Sequence, residues 1–134
     1  MSHFTSVKTK IKNLVCLQRA LKDLGYVFEA AEEHQVVQVR GYQGQKADGL
    51  MAIKASKTYD IGVRQAADGT LEFFADWWGV ETTRGVTEEE FIKQVTRRYS
   101  YHMVKQEIEK KGWTLEEEKQ EEGEQIHLHV RTWS

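Results

Sequence analysis

The chain contains no proline and a single cysteine, Cys16, among its 134 residues. Without proline no Pro-rich linker marks a boundary, and the pattern fits a compact domain of strands and helices. A lone cysteine closes no internal disulfide, which points to a reducing, cytoplasmic compartment. No apolar run approaches the roughly 20 residues that span a bilayer, so no membrane partner is expected. The opening MSHFTSVKTK lacks the apolar centre of a signal peptide. Neither sign of charge dominates. Lys plus Arg is 19, Asp plus Glu is 21 and the net charge is −2, so no global basic excess directs the chain to nucleic acid.

Catalytic signatures are missing too. Gly41-x-x-Gly44 has neither the Lys-Ser/Thr nor the strand-to-helix setting of a phosphate loop, and there is no serine elbow or His-Glu-x-x-His. These absences weaken the case for an enzyme, and no cofactor is expected. What remains is the balance of an ordinary globular protein, 40% apolar and 30% charged. The length fits one domain over 1–134, able to bury a full core without staples.

One stretch stands out. Residues 71–80, LEFFADWWGV, hold two of the five Phe and two of the four Trp. The first half reads as the central strand of the fold, and Asp76-Trp77-Trp78-Gly79 as the mouth of a loop running to Val86. If that pair is extended, neighbouring side chains point to opposite faces, so one Trp lies outside the core. Exposed Trp is a common interface anchor; the plain alternative is that both pack beneath the loop. Asp76, Trp77, Trp78 and Gly79, with Arg84 beyond them, are the candidate binding residues.

Around this stretch the chain reads as follows. Residues 3–11 alternate as a strand, with Thr5, Val7, Thr9 and Ile11 on one side. Asn13 caps a helix whose stripe is Leu14, Leu17, Leu21 and Leu24, stopped by Gly25. Strands are expected at 26–31 and 35–42, joined around Glu32-Glu33-His34, and a polar loop at 43–49. Further strands are expected at 50–55, 59–65 and 70–75, with a type I′ turn at Asp68-Gly69. Thr87 and Glu90 form a capping box for a helix that ends at Gly112. Its stripe changes phase from Phe91, Val95 and Tyr99 to Tyr101, Val104 and Ile108, which predicts a break near Ser100. Two strands, 113–118 and 125–133, close the chain.

Residues 13–42 align with 100–133 as helix, glycine stop and hairpin ending in Arg-x-aromatic. Two such units sharing one sheet predict an α+β fold: a curved antiparallel sheet with the helices on one face. Its other face would be small or would meet a partner.

The remaining chemistry is sparse. His127 and His129 alternate on a strand, but no third ligand has the spacing of a zinc site. Cys16 lies within a helix and reads as a small buried apolar group rather than a nucleophile. Asp60, Glu72 and Asp76 are isolated carboxylates. Lys8, Lys10 and Lys12, joined by Arg40, Arg97 and Arg98, are either a nucleic-acid strip or lysines guarding an edge strand. Glu116 to Glu124 is a charged hairpin, either solvated or an acidic docking tip.

At MSHFTSVKTKIKN, LKDLGY, ADWWGV and the closing hairpin, the chain resembles the hypothetical chloroplast reading frame family, ycf type, thirty-fifth member, of cyanobacteria and red-algal-type plastids. The resemblance covers the whole chain. It implies a cyanobacterial cytosolic or plastid stromal protein, and no active-site residues carry over, because the family is a domain of unknown function. The chain has no cysteine set for an iron–sulfur cluster of its own. The leading expectation is a non-enzymatic protein-binding or adaptor module, contacting a partner or a second copy through the open sheet face and the 76–79 loop. A nucleic-acid-binding module is the alternative. A small enzyme using Asp76 with His102 or His127 is a third reading.

Overall fold

The computed structural model describes residues 4–112 in full and the backbone of the strands 114–120 and 126–131. The fold is α+β. Its main sheet is antiparallel, in the order β1-β7-β6-β5-β2, with β1 at Thr5–Lys8, β2 at Val27–Ala30, β5 at Met51–Lys54, β6 at Asp60–Gln65 and β7 at Leu71–Ala75. The aromatic strand β7 is interior, as expected, though β6 holds the middle position.

Alternation along β7 sorts its side chains. Leu71, Phe73 and Ala75 join Met51, Ile53, Ile61 and Val63 on the face that the helices cover. Helix α1 (Leu14–Asp23) starts at Asn13, whose Oδ1 accepts from the Cys16 N–H at 3.0 Å, and is followed by Gly25 at φ +84°. Its buried stripe is Cys16, Leu17, Ala20 and Leu21, while Leu14 is left exposed. Helix α3 (Glu88–Lys110) begins with the expected capping box. Phe91 is the keystone of this layer, its ring 5.5 Å from Tyr26, 5.2 Å from Phe73 and 6.0 Å from Trp77. Burying such a ring contributes about 2–3 kcal/mol.

The break expected near Ser100 is absent: α3 is one continuous helix. The apolar stripe changes phase because the helix changes neighbours. Phe91 and Val95 join the core beneath the sheet. Beyond them Tyr99, His102 and Gln106 bond to the α1 segment: Tyr99 Oη accepts from the Asn13 N–H, Gln106 Oε1 from Asn13 Nδ2, and His102 Nε2 lies 2.5 Å from Asp23 Oδ2.

The other sheet face is not open. A ribbon of β3 (Val37–Arg40) and β4 (Lys46–Gly49) lies over it. Val37 and Val39 pack with Ala52 and Phe74, and Phe4 closes the edge. This corrects three expectations. The spare apolar face is covered by the chain itself. Segments β2 and β3 do not pair with each other: β2 joins β5, and β3 joins β4. The 43–49 loop is largely the strand β4, whose sequence KADG has little strand propensity and is held by pairing instead. The type I′ turn lies at Gln43-Gly44, where φ is +50° and +78° and the Gln45 N–H reaches the Tyr42 carbonyl at 3.0 Å. At Asp68-Gly69 only Gly69 has positive φ, and the Gly69 N–H bonds the Ala66 carbonyl, a type I turn followed by a left-handed glycine.

Arg40 fastens the ribbon. Its backbone N–H and Nε both donate to Asp60 Oδ2, and Nη2 donates to Oδ1 at 2.8 Å. Asp60 is fully buried, so the pair must be complete to be tolerated. Strands β8 (Thr114–Gln120) and β9 (Ile126–Arg131) pair with each other as a separate two-stranded sheet. Gly25 and Gly112 both have positive φ, but Ser100 lies inside α3 and β2 and β3 form no hairpin, so the two proposed units match only at the glycine stop. Trp113 and Trp133 lie outside the described residues.

Candidate functional site

The expected loop after β7 is a helix, α2 (Trp77–Arg84). Asp76 caps it, Oδ1 accepting from the Gly79 N–H at 3.2 Å, and Gly85 stops it at φ +82°. Successive residues on a helix lie about 100° apart, so the two indoles diverge. Trp77 turns inward, and its Nε1–H donates to the Thr5 carbonyl of β1 at 3.0 Å. Trp78 turns outward and is 58% exposed.

Asp76 and Gly79 position this helix from behind. A Cβ on Gly79 would fall 2.1 Å from the Tyr59 ring, so only glycine lets the helix sit this close. Among the described residues the Asp76 Oδ2 atom, which is buried, has no hydrogen-bond partner. Burial pushes the Tyr59 phenol up, and the charge of Asp76 adds to that. Arg84 points elsewhere. Its guanidinium stacks 4.4 Å from the Tyr26 ring centre and lines a separate shallow pocket with Ser56, Thr58 and Thr83.

Between α2 and α3 runs an open groove of about 1150 Å³. Val7, Trp77, Trp78 and Glu81 form one wall. The other is α3, which presents two rows at i, i+4 spacing: Glu88, Ile92, Thr96, Ser100 and Val104, and beside them Glu89, Lys93, Arg97 and Tyr101. Thr96 and Ser100 are small, set between Ile92 and Val104, and their size leaves the depression. Trp78 lines it from α2.

Of the candidate residues, Trp77 and Trp78 line the groove, Asp76 and Gly79 fix the helix that carries them, and Arg84 takes no part. Ile92 and Thr96 were not singled out in the sequence, and Ser100 and Val104 only as an expected helix break and part of the apolar stripe. The signal for them was two small residues at i+4 spacing between two apolar ones.

The other candidates sit apart from the groove. His102 is buried against Asp23, and neither His102 nor Asp76 lines it. Asp60 is held by Arg40, and Glu72 pairs with Arg64 at 3.3 Å. Cys16 is buried with Sγ 3.7 Å from Gln106 Oε1, and burial pushes its thiol up, the reverse of nucleophile activation. Arg40 and Arg98 are committed to Asp60 and Asp23 rather than to a basic strip, while Lys8, Lys10 and Lys12 stay exposed beside the edge of the sheet. His127 and His129 stand on β9 opposite Lys119 and Glu117. Among the described residues no group of three or more His, Cys, Asp or Glu is arranged to hold a metal, and no helix is long and apolar enough to cross a membrane.

Sheet, ribbon and groove together define an α+β protein with a helix-walled apolar groove. The chain belongs to the family described as protein of unknown function (DUF1257), which it matches over residues 20–129. It is similar to an uncharacterized protein, ycf35, of Guillardia theta, 28% identical over 138 residues and covering 99% of this chain and 98% of that one. The ycf35 proteins of Cyanophora paradoxa and Pyropia yezoensis are 28% and 27% identical, with 99% and 100% of this chain covered, and 98% and 99% of theirs. No solved structure matches. The family resemblance read from the sequence therefore holds over essentially the whole length.

Proposed function

We propose that this chain is a non-enzymatic protein-binding module, one domain over 1–134, whose contact surface is the groove between α2 and α3. The observation that carries this reading is Trp78. A large indole 58% exposed contributes little to the fold, yet it stands on a helix fixed at its base by Asp76, Gly79 and Trp77. Interfaces concentrate their energy in such rigid aromatic anchors beside a pocket. The apolar lining of Val7, Trp77, Ile92 and Val104 favours an amphipathic segment laid lengthwise, in the manner of a helix in a groove. Among the described residues its lining holds no histidine or cysteine.

The test is recovery of a partner by a tagged chain from its host. The wild-type chain recovers a defined protein. Trp78→Ala, which removes the anchor, and Ser100→Trp, which fills the groove, do not, although both give the wild-type circular dichroism spectrum. Recovery that survives both substitutions would sink this reading.

A further inference from the structure

We infer that the groove selects a basic segment: an apolar or aromatic anchor flanked by lysine or arginine. This rests on the groove being a protein-binding surface and adds the chemistry of what enters it.

The balance of charge along the walls points to such a segment. Glu81, Glu88 and Glu89 line the groove, and among the described residues none of them is in an ion pair. The same wall carries two cations, Lys93 and Arg97, each with an interaction of its own, so three carboxylates stand against two positive charges. The charge left over is negative. Glu88 and Glu89 have a local reason to be there, because carboxylates in the first turn of α3 favour the helix dipole. Glu81 has no such reason, since it lies in the second half of α2, three residues from its end. It faces Glu88 and Glu89 across the groove from a different helix. A partner that covers the apolar floor removes water from these carboxylates, and a lysine or arginine beside its anchor restores their partners. An arginine there also stacks on the exposed face of Trp78. A polyanion meets the same carboxylates with repulsion, which sets this groove apart from the lysines beside the sheet edge.

The inference is tested by selecting random short displayed peptides against the intact chain at low salt and titrating the survivors by calorimetry. The expected survivors carry lysine or arginine beside Trp, Phe or Leu, bind more weakly as salt rises, and lose binding to Trp78→Ala. Combining Glu81→Lys, Glu88→Lys and Glu89→Lys weakens them by at least about tenfold. Because lysine in the first turn of α3 also weakens that helix, the triple glutamine variant is run beside it, with circular dichroism as the check. A loss of affinity in the glutamine variant with helix content intact assigns the effect to charge; unchanged affinity there overturns the inference. Survivors that need Trp78 but are acidic or uncharged overturn it and leave the protein-binding reading standing. No survivors, or survivors indifferent to Trp78→Ala, overturn both. A dimer by light scattering that Trp78→Ala dissolves puts a second copy in the groove and overturns the choice of a basic partner segment.

Discussion

Trp77 and Trp78 are chain neighbours with opposite surroundings. Trp77 donates its indole N–H to the Thr5 carbonyl, 72 residues away in sequence, and so ties α2 to the edge strand β1. Trp78, one position on, makes the most exposed aromatic surface among the described residues. Stability and binding should therefore separate cleanly between them. Trp77→Ala should cost about 3–5 kcal/mol in urea unfolding, through lost packing on Phe91 and a bare Thr5 carbonyl. Trp78→Ala should stay within about 0.5 kcal/mol of wild type.

The ribbon that covers the far side of the sheet depends on Arg40 and Asp60. Asp60 is fully buried, so removing Arg40 leaves a carboxylate with only the Arg40 backbone N–H and Lys54 Nζ, 3.6 Å away. Arg40→Ala should cost about 3–5 kcal/mol, and amide exchange across β3 and β4 should quicken before that of the main sheet. Combining Arg40→Met with Asp60→Leu should restore much of the loss, because an apolar pair has no charge to strand.

Gly62 lies under the Phe74 ring, which Phe4 meets edge-on and Arg64 overlies at 4.7 Å. A Cβ at position 62 would stand 2.3 Å from the Phe74 Cζ. Gly62→Ala should therefore cost about 1–3 kcal/mol, a large penalty for one methyl group. The same substitution in a Phe74→Leu background should cost less, since the ring that obstructs it is gone. Equal costs in both backgrounds would place the strain elsewhere.

Burial alone would push the Asp23 carboxyl up, but hydrogen bonds from Arg98 and His102 outweigh it and hold the group below its ordinary value. The stability this confers is complete above the unfolded value of about 3.9 and is lost as pH falls through the lower folded value. Asp23→Asn lacks that titration. The gap between wild type and variant should be widest above about pH 4 and should close below it. With the Asp23 side chain 36% exposed, screening limits the gap to about 1 kcal/mol. Urea unfolding across that range measures it.

Much of the frame was legible because its signals are local. Asn13, Gly25, Thr87 with Glu90 and Gly112 each act within one turn of chain, and each sits where its chemistry placed it. β4 was not legible, since KADG becomes a strand only through pairing with β3. α2 was missed because its eight residues carry a glycine and two threonines and no apolar stripe. Its start and stop, Asp76 and Gly85, were the usable signals. The two rings of the Trp pair are parted by a helix rather than by the expected extended strand. Arg84 was grouped with them, but nearly two turns along α2 its guanidinium stacks on Tyr26 instead. The groove was beyond reach, because it exists only where α2 meets two rows of α3.

The most direct test of the groove as a contact surface is photo-crosslinking in the host from a reactive side chain placed at position 78, with position 15 on the exposed face of α1 as comparison. The account predicts discrete protein adducts from position 78, none from position 15, and their disappearance when Ser100→Trp fills the groove. Adducts from both positions alike, or adducts from position 78 that persist in the Ser100→Trp chain, would contradict it.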